Sequence, residues 1–527
     1  MIWKILPKKS EDLAEQLLIN RGVKTDQEKE QFFNPKISDF EKNLQIPGIE
    51  KASKRIKGAI EKNEQIIVYG DFDVDGICAS AILYKALTSL GAKVLPYIPH
   101  REKEGYGLSK LGLNFARDSG ATVVITVDNG IVAIEQARFA KEIGLDLIIT
   151  DHHLPLDQKP DAFAIVHSTK MCGAAVAWCL IKNMVSKKIT EELLQFVAIA
   201  TVCDLLPLLG LGRAFLVEGL KELHKTTNLG LLAIINENNL NLNELGSYEI
   251  GYIIGPRLNA MGRLEHAIDS LRLLCTKDPI KARTLANLLT ETNERRKQLT
   301  DLAIEEAKVM IIEEKNIHVL SSANWSSGIV GLIASRICEI TQKPAIAISR
   351  GENFSRGSAR SVAGLNIVEV IRRCADLLVA VGGHRGAAGF TIETTKINEF
   401  HQRLDKLIDN QDFAKESEQI LEIDAQIGAA ELSIGLVKQL VRFEPFGVGN
   451  TRPVLATLGL QISDIRTVGS GKHLKFKADG LDAIGFGMGD LQGMLANGQI
   501  VDLAYTLEID NYNGFEKIQL KIKDVKI

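Results

Sequence analysis

Acidic side chains and a pair of histidines follow several short apolar runs in the first half of the chain. Apolar, β-branched runs separated by helical stretches are typical of buried parallel strands, whose carboxyl ends meet at one edge of the sheet. So many acids can share one crevice only if cations neutralise them. The side chains are Asp71, Asp73 and Asp75 after residues 66–69, Asp128 after 122–127, Asp151, His152 and His153 after 147–150, and Asp204 after 198–203.

The first group, Asp71-x-Asp73-x-Asp75, has the spacing of a cation site. On a turn from a strand into a helix, alternate side chains point to one side and bring their carboxylates close together. Hard divalent cations prefer such oxygen ligands, and an imidazole from His152 widens the choice toward Mn²⁺ or another transition metal. Two ions about 3.5–4 Å apart catalyse phosphoryl chemistry by activating a water and stabilising the leaving oxygen. Asp128 and Asp204 are the candidates for ligands that bridge both ions.

Each motif also has a simpler interpretation. Asp128-Asn129-Gly130 is by itself typical of a turn. The DxDxDG string at 71–76 resembles a calcium loop, but an EF-hand needs a Glu at the end of its loop and a leading helix instead of a leading strand. Because Asp151-His152-His153 takes the same position at a strand end, the motifs together favour a metal centre for phosphate chemistry.

The elements that must position these side chains follow from the pattern of the chain. Strands and helices alternate from 64 to about 213, as βαβ units require. We therefore predict an α/β fold with a doubly wound parallel sheet, preceded by a charged lead segment that packs on it. The predicted helices are 77–90, 131–143, 174–185 and 191–203, and two further strands are 93–98 and 162–166.

Three further regions are predicted after the first domain. Residues 278–315 are rich in Ala, Leu, Glu, Lys and Arg, which indicates a long connecting helix with a charged, solvated face. Strand-like and helical segments between 317 and 408 predict a second, smaller α/β domain. Past Val454, short strands separated by turns predict a small barrel of the oligonucleotide-binding type. These turns lie at 468–471, 478–480 and 511–514.

Composition narrows the class of protein. A length of 527 residues, 45% of them hydrophobic, predicts about three or four domains with ample core. The net charge of -3 gives no overall basic signature, so any nucleic-acid contact depends on local patches. Seven cysteines without CxxC spacing suit a reducing cytosol better than a disulfide framework. With no signal-peptide pattern and no apolar stretch long enough for a bilayer, we expect a cytoplasmic protein without membrane contact.

The motifs in their order resemble those of a known family. Asp73-x-Asp75, Asp128-Asn129-Gly130, Asp151-His152-His153 and Asp204 are similar to the four successive motifs of the DHH phosphoesterase superfamily. The string 382–389, GGHRGAAG, resembles the motif of its associated DHHA1 domain. With GPRLNA at 255–260 and the predicted barrel, nearly the whole chain resembles the RecJ-type exonucleases.

This resemblance implies a processive 5′-to-3′ exonuclease of single-stranded DNA that serves recombination and repair. It implies a need for Mn²⁺ or Mg²⁺, the release of nucleoside 5′-monophosphates, and a monomer that works with a helicase and a single-strand-binding protein. Two alternatives stay open: a phosphodiesterase of the same superfamily acting on short oligonucleotides or cyclic dinucleotides, and a non-catalytic strand-binding scaffold. The scaffold predicts lost metal ligands, whereas the smaller phosphodiesterase has no evident use for a barrel.

The resemblance also assigns roles at the metal centre. One ion would be held by Asp75, Asp128, His152 and Asp204, and the second by Asp73 with the bridging Asp128 and Asp204. His153 would contact the scissile phosphate. Where many relatives have a histidine ligand this chain has Tyr69, so Asp71 or water would take its place, or the second site would fill only with substrate. His167 stands where relatives tend to have Asn-Pro, and we interpret it as an ordinary hydrogen-bonded histidine.

Further residues are candidates for binding the DNA backbone. Glycines let backbone N–H groups approach phosphate, and guanidinium groups and hydroxyls add hydrogen bonds. The Gly-Pro segment that begins at 255 is predicted to be a loop. An alternative role for its two arginines, Arg257 and Arg263, is to cap a helix. In the barrel, basic and aromatic side chains alternate along one predicted strand, as a strand-binding surface would require. They are Lys472, His473, Lys475, Phe476 and Lys477. The candidates are Gly383, His384 and Arg385; Ser358, Arg360 and Ser361; Arg257, Asn259 and Arg263; and Lys472 and Lys475.

These interpretations give a complete predicted architecture. It comprises a doubly wound parallel-sheet DHH domain, a long connecting helix, a smaller α/β DHHA1-type domain and a C-terminal OB-like β-barrel. A dinucleotide-binding enzyme is disfavoured, because the loop 70–76 lacks GxGxxG and carries acids where pyrophosphate would sit. The predicted bounds are 1–63 for the lead segment, 64–276 for the catalytic domain, 277–316 for the helix, 317–408 for the substrate-binding domain and 409–527 for the barrel domain.

Overall fold

The computed structural model describes residues 1–409, 420–510 and 516–527. The described chain forms two compact units. The smaller unit comprises Met1–Phe40, Pro207–Ala214 and the described residues of Glu418–Ile527. The larger unit comprises Glu41–Leu206 and the described residues of Phe215–Ser417. In the described part of the chain, no helix has both the length and the apolar character that a bilayer crossing requires.

The strands fall into four sheets. They are β1 (Ile2–Ile5), β2 (Gln65–Tyr69), β3 (Lys93–Tyr97), β4 (Ala121–Val127), β5 (Asp146–Asp151), β6 (Ala164–His167), β7 (His318–Ser322), β8 (Ala345–Ser349), β9 (Phe354–Arg360), β10 (Leu378–His384), β11 (Ala387–Glu393), β12 (Ile420–Ile423), β13 (Ala425–Gln426), β14 (Leu455–Val468), β15 (His473–Ala478), β16 (Leu481–Gly485), β17 (Ile500–Asp510) and β18 (Lys517–Lys526).

The helices vary from single turns to one long connecting helix. They are α1 (Leu13–Asn20), α2 (Asp26–Phe33), α3 (Glu41–Leu44), α4 (Ile49–Glu61), α5 (Val74–Ser89), α6 (Lys110–Asp118), α7 (Ile134–Glu142), α8 (Gly173–Ile181), α9 (Lys187–Glu192), α10 (Leu194–Cys203), α11 (Gly210–Leu223), α12 (Leu229–Glu237), α13 (Ser247–Glu249), α14 (Gly255–Leu264), α15 (Ile268–Cys275), α16 (Pro279–Val309), α17 (Val330–Thr341), α18 (Ile367–Arg372), α19 (Ile397–Asp409) and α20 (Ile434–Val441).

The first sheet is doubly wound and entirely parallel, which confirms the predicted fold class. Its strand order is β3-β2-β4-β5-β6. Helices α6 and α7 cover one face with apolar residues, and α5 and α8 pack on the other, so the strands are buried on both faces. The chain order reverses between β2 and β4, and a crevice at such a switch point is where α/β sheets bind ligands.

The long helix α16 connects this domain to the second one, as predicted. Asp278 caps its first turn by accepting hydrogen bonds from the backbone N–H groups of Ile280 and Lys281. The helix is not solvated all round, because a stripe that includes Leu285 and Leu289 is buried against its neighbours. Its predicted charged face is the opposite, exposed side of the helix.

The second α/β domain contains a mixed sheet in the order β10-β11-β9-β8-β7. Only the pair β7 and β8 is parallel, and the other neighbours are antiparallel. The GGHRGAAG string lies within this sheet. It forms the hairpin of β10 and β11, because its residues continue the ladder from Gly382 paired with Gly389 to His384 paired with Ala387.

In the smaller unit, five strands close into a barrel, which confirms the predicted oligonucleotide-binding type of fold. The order is β14-β15-β16-β18-β17, and β17 pairs back onto β14. Two of the predicted turns connect β14 to β15 and β15 to β16. The third predicted turn, 511–514, lies outside the described residues.

The predicted lead segment, 1–63, is divided between the two units: α4 contacts β6 and α8 of the first α/β domain, as predicted, whereas the residues before α3 do not belong to that unit. Residues Met1–Phe40 belong to the barrel unit, where β1 pairs with β12. The cause is the apolar residues of α1 and α2, since Leu17 and Phe32 are buried in one cluster with Phe443 and the barrel core. The predicted domain bounds themselves stay predictions.

Candidate metal centre and phosphate-binding residues

Asp73 and Asp75 are positioned by the tight turn from β2 into α5. The Asp73 side chain caps the helix by accepting a hydrogen bond from the backbone N–H of Gly76 at 3.0 Å. The helix therefore begins at Val74, earlier than predicted, and Asp75 lies in its first turn. The turn requires glycine at Gly76, because a Cβ atom there would lie 2.7 Å from backbone atoms of Asp71. This close packing holds the three acids at the carboxyl end of β2.

Asp75 is fixed by the N-terminus of another helix. Its two carboxylate oxygens accept hydrogen bonds from the backbone N–H groups of Gly173 at 2.6 Å and Ala174 at 2.7 Å, in the first turn of α8. The partial positive charge of a helix N-terminus favours a carboxylate there. Asp75 is buried, so these bonds hold its side chain in one orientation.

Asp128 follows β4 in an uncommon backbone conformation. Its φ is 61°, in the left-handed region where Asp is among the more tolerated residues. The side chain is buried, and in the described part of the chain no hydrogen bond reaches its Oδ1 atom. A buried carboxylate oxygen without a donor is costly unless an ion or water completes it. The Oδ1 atom of Asp71 is also buried and accepts no hydrogen bond from the described residues.

His152 brings the carboxylates of separate elements together. Its Nε2 atom lies 3.1 Å from Asp128 Oδ1, 3.6 Å from Asp75 Oδ2 and 3.6 Å from Asp204 Oδ2. Asp204 reaches the site as the residue that ends α10. Side chains from four parts of the sequence therefore meet at one edge of the parallel sheet.

Three groups of side chains in the described residues have a geometry suited to a metal ion. Within each group the potential ligand atoms all lie within 4.8 Å of one another. Oxygen donors with one or two imidazoles suit Mg²⁺ or Mn²⁺, and the unpartnered oxygens of Asp71 and Asp128 fit a bound cation. The groups are Asp75, His152 and Asp204; Asp71, Asp73 and Asp128; and Asp128, His152 and His153.

The electrostatics of this cluster match a cation site. Burial, followed by the charge of neighbouring carboxylates, raises the pKa of Asp71, Asp75 and Asp128 well above the ordinary value. Burial and then Asp73 raise the pKa of Asp204 to about 7. The crowded acids therefore hold protons unless a cation replaces them.

The two histidines differ in charge. Burial, then the charge of His153, lowers the pKa of His152 to about 4, so its imidazole is neutral and free to ligate a metal. Burial alone would lower the pKa of His153 as well, but the hydrogen bond between its Nδ1 atom and Asp151, at 2.7 Å, raises it to about 9. His153 is therefore a cation at neutral pH, held in place by Asp151.

Tyr69 does not face the metal centre. Its ring is fully buried in the apolar cluster on the α6 side of the sheet. Its hydroxyl donates to the backbone carbonyl of Gly107 at 3.2 Å. Tyr69 is therefore no substitute for a histidine ligand, whereas Asp71 lies in one of the three groups.

Arginines gather beside the acids. Arg263, on α14, donates to the backbone carbonyl of Gly328 at 3.2 Å, and burial followed by the charge of Arg101 lowers its pKa to about 10. Arg360 and Asp73 are also within electrostatic reach of Arg263. Arg360 donates to Ser358 Oγ at 3.0 Å. Of the predicted residues, Arg263 is thus within electrostatic reach of both Asp73 and Arg360, and Arg360 is hydrogen-bonded to Ser358.

Sequence reasoning missed Arg101, Arg356 and Tyr106. Arg101 and Tyr106 lie on the loop between β3 and α6, and Arg356 lies two residues before Ser358 on β9. The Tyr106 hydroxyl is 3.2 Å from His153 Nε2 and donates to the backbone carbonyl of Asp128 at 3.4 Å. The sequence did contain one signal for Arg101 and Tyr106, because their loop directly follows the end of a strand of the predicted sheet.

The GPRLNA segment is not the predicted loop. Residues Gly255–Leu264 form α14, which continues a π-helical turn at Ile250–Ile254. Arg257 donates to Ile253 O and to the side chains of Thr290 and Asn238, so protein acceptors use its guanidinium group. Asn259 accepts a hydrogen bond from the backbone N–H of Val74 at 3.2 Å, which fixes the first turn of α5.

The remaining candidates of the second domain lie around the β10–β11 hairpin. Gly383 is required there, because its φ is 143° and a Cβ atom would lie 2.4 Å from the Ala387 carbonyl oxygen. His384 and Arg385 are exposed at its tip. Ser361 uses its hydroxyl to donate to the backbone carbonyl of Leu365 at 2.9 Å.

In the barrel, Phe476 is not on the basic surface as predicted. Along β15 the side chains alternate, so Phe476 is buried in the barrel core while Lys475 and Lys477 face outward. The exposed aromatic residue beside them is Phe486, whose ring lies 5.2 Å from that of His473. Lys472 is exposed on the turn before β15.

Family models match three successive parts of the chain: the first α/β domain, the second α/β domain and the barrel. Residues 65–201 match the DHH family, N-terminal domain. Residues 314–410 match the DHHA1 domain, and residues 423–524 match the RecJ OB domain.

Comparison with single proteins finds similar chains over nearly the full length. The single-stranded-DNA-specific exonuclease RecJ of Bacillus subtilis (strain 168) is 33% identical over 535 residues, covering 98% of this chain and 68% of that protein. The Escherichia coli (strain K12) exonuclease of the same name is 30% identical over 565 residues, covering 99% of this chain and 96% of that protein. The crystal structure of RecJ in complex with Mn²⁺ from Thermus thermophilus has a TM-score of 0.86 and 27% identity, covering 100% of this chain and 79% of that one.

Proposed function

The chain belongs to the RecJ family of single-stranded-DNA-specific exonucleases, and from this premise we propose that it removes nucleotides from the 5′ end of single-stranded DNA. It is a metal-dependent exonuclease whose cofactor is Mn²⁺ or Mg²⁺. The observation that carries the proposal is the His152 imidazole within 3.6 Å of three carboxylates. The release of 5′-mononucleotides and the use in recombination and repair are part of the same proposal.

We infer two cation sites from the three groups of ligands. Asp75, Asp128, His152 and Asp204 would hold one ion, and Asp71 and Asp73 would hold the second with Asp128 and Asp204 as bridges. Asp71 would fill the place of the family histidine, because Tyr69 faces the apolar core. When bound, divalent cations activate water and neutralise charge at a scissile phosphate.

His153 is the proposed contact to the scissile phosphate. Its pKa of about 9 makes it cationic at neutral pH, and Asp151 holds its ring by the 2.7 Å hydrogen bond to Nδ1. The Nε2 atom, which lies 3.2 Å from the Tyr106 hydroxyl, would donate to a phosphate oxygen beside the metal centre. Charge-assisted hydrogen bonds of this kind are stronger than neutral ones and stabilise developing negative charge.

The arginines next to the acids support recognition of a terminal phosphate. Guanidinium groups bind phosphate oxygens with two parallel hydrogen bonds, and repulsion from Arg101 and Arg360 adds to burial in lowering the pKa of Arg263. A phosphate dianion among them would relieve this repulsion. A 5′-terminal phosphate bound here would place the first phosphodiester at the metal centre, which supports 5′-to-3′ polarity.

The barrel supplies a second surface for the strand. Lys475, Lys521 and Phe486 line one groove on it together with Glu508 and Asp510. Lys521 pairs with Glu508, and its ammonium lies 6.0 Å from the centre of the Phe486 ring. An exposed aromatic ring beside lysines can stack a base and neutralise the backbone without reading sequence. A helicase and a single-strand-binding protein as partners, a monomeric state and a cytoplasmic location remain proposals that rest on the DNA substrate.

A direct assay tests the proposed function against its alternatives. With Mn²⁺, we expect the protein to shorten single-stranded DNA that carries a 5′-phosphate and to leave blunt duplex DNA intact, because its relatives are single-stranded-DNA-specific exonucleases. Products from 5′-labelled and 3′-labelled strands, separated on a gel, report the polarity. Cleavage confined to short oligonucleotides or cyclic dinucleotides would favour the small-substrate phosphodiesterase, and metal-independent binding without cleavage would favour the scaffold.

The pKa values at the site predict that metal binding depends on pH. At neutral pH the metal-free site retains protons, since the pKa of Asp204 is about 7 and burial raises the pKa of Asp75 and Asp128 well above the ordinary carboxyl value. A bound cation must displace these protons, so Mn²⁺ affinity should rise with pH through about 7. Calorimetry in two buffers of different ionisation enthalpy measures the protons released. Mn²⁺ binding with no proton release at pH 6 would contradict the ligand assignment.

A further inference from the structure

The loop between β3 and α6 brings two side chains to the metal centre. The Arg101 guanidinium lies 4.6 Å from the centre of the Phe72 ring, beside the acidic turn. Tyr106 places its hydroxyl 3.2 Å from His153 Nε2 and donates to the Asp128 carbonyl at 3.4 Å. The position of this loop therefore determines where the phosphate-binding guanidinium of Arg101 lies, and where the Tyr106 hydroxyl lies as the partner of His153.

The first residues of the loop are held by the second α/β domain. Arg356, on β9, donates from one nitrogen to the Arg101 carbonyl at 3.1 Å and from the other to the Glu102 carbonyl at 2.6 Å. Ser327 adds a hydrogen bond from its hydroxyl to the Glu102 carboxylate at 2.9 Å. Two consecutive backbone carbonyls on one guanidinium group fix the direction of the chain as well as its distance.

The same strand carries the proposed phosphate-binding residues. Arg356, Ser358 and Arg360 alternate with buried residues along β9, so they share one face of the strand. The contact between the domains is close, because a Cβ atom on Gly328 would lie 1.8 Å from the Arg263 carbonyl oxygen. Strand β9 therefore carries the proposed phosphate-binding residues Ser358 and Arg360, and through Arg356 it also contacts the loop over the metal centre.

The other end of the loop is anchored inside the first domain. The Glu104 carboxylate accepts hydrogen bonds from Tyr97 at 2.8 Å and Ser109 at 2.7 Å. Beyond it, Tyr106 stands between Gly105 and Gly107, which have φ values of 82° and 80°. The contacts from Arg356 and Ser327 thus join the loop to the second domain, and Arg356 is the one that holds its backbone.

We propose that Arg356 is a positioning residue for the exonuclease reaction. By holding the carbonyls of Arg101 and Glu102, it sets the loop so that Tyr106 orients His153 and the Arg101 guanidinium meets the phosphate. The proposal rests on the proposed function and deepens it, because it makes the second domain a requirement for alignment at the metal centre as well as for binding DNA.

Arg356→Ala tests the proposal. We expect kcat on 5′-phosphorylated single-stranded DNA to fall on the order of 10²-fold with little change in KM, since small misplacements of aligned groups cost rate more than binding. Trypsin should cut faster after Lys103, an exposed residue of the released loop. Arg356→Lys should recover part of the rate, because one ammonium group can reach only one of the two carbonyls.

Matched controls make the result specific. Arg336→Ala removes an exposed arginine of the same domain that pairs with Glu339, and it should keep wild-type kcat and trypsin resistance. If Arg356 instead bound the DNA backbone, Arg356→Ala would raise KM and reduce the salt slope of binding by about one, with kcat unchanged. That outcome, or wild-type kcat with an intact loop, overturns the proposal. A wild-type protein that leaves single-stranded DNA uncut overturns the proposed function instead.

Discussion

Asp128→Asn should reduce exonuclease activity on the order of 10³-fold or more, because groups that act as one unit lose nearly all catalysis when a central member is removed. Asp128 belongs to two of the three ligand groups and is the carboxylate nearest to His152 Nε2, at 3.1 Å. Asparagine has nearly the same shape and tolerates the left-handed φ of 61°, so the backbone is expected to stay in place. Steady-state cleavage of a labelled single strand measures the loss.

The stability of the same variant separates a metal ligand from a structural residue. In the metal-free protein, Asp128→Asn removes one of several crowded acids whose pKa burial has raised, so it should be at least as stable as the wild type. Its melting temperature should no longer rise with Mn²⁺. Asp118→Asn, at an exposed acid that pairs with Arg117, is the control and should behave as wild type in both assays. An active Asp128→Asn enzyme with normal Mn²⁺ stabilisation would contradict the assignment of Asp128 as a metal ligand.

Arg213→Met should destabilise the barrel unit by several kcal/mol, because it removes the donor of one buried and two partly buried hydrogen bonds at about 1–3 kcal/mol each. Arg213 is buried, and its guanidinium donates to the backbone carbonyls of Phe32 at 2.7 Å, Glu444 at 2.6 Å and Pro445 at 3.2 Å. Methionine fills similar space but donates no hydrogen bond to these carbonyls, of which Pro445 keeps the Asn450 side-chain amide at 3.0 Å. Thermal and denaturant unfolding, followed by probes within the barrel unit, measure the change.

The reason for so large an effect is that Arg213 joins separate segments of one compact unit. The segment Pro207–Ala214 meets the N-terminal segment at Phe32, whose ring centre lies 4.1 Å from the guanidinium carbon, and the C-terminal segment at Glu444. Arg117→Met, at an exposed arginine in the larger unit, is the control and should change stability by less than about 0.5 kcal/mol. An Arg213→Met protein as stable as this control would show that the three carbonyls find other donors.

Residue types and their spacing predicted the catalytic domain well, for a physical reason. A strand buried on both faces must be apolar, so the polar residues that follow β2, β4 and β5 mark the strand ends, and parallel strands end at one edge. The predicted positions of Asp73, Asp128 and His152 needed only this rule and the order of the strands. The closing barrel was predicted in the same way, from short alternating strands and glycine turns.

Predictions failed where the local sequence is compatible with more than one structure. The prediction that Phe476 lies on the DNA-binding surface depends on the use of aromatic residues there, yet its neighbour Leu474 shares its face and both are buried in the core. The Gly-Pro pair before Arg257 favours a loop, but proline is also well accommodated in the first turn of a helix. Propensity alone does not settle such cases, because packing decides them.

The amino-acid sequence by itself determined the fold class, the chemistry of the metal ligands and the order of the domains, since each depends on local periodicity and residue type. Only the tertiary structure decided that Tyr69 faces the core, that Met1–Phe40 packs with the barrel, and that Arg356 reaches the loop of Arg101. These contacts join residues far apart in the chain. No local pattern encodes them, because they arise from which surfaces remain to be buried after the helices and strands have formed.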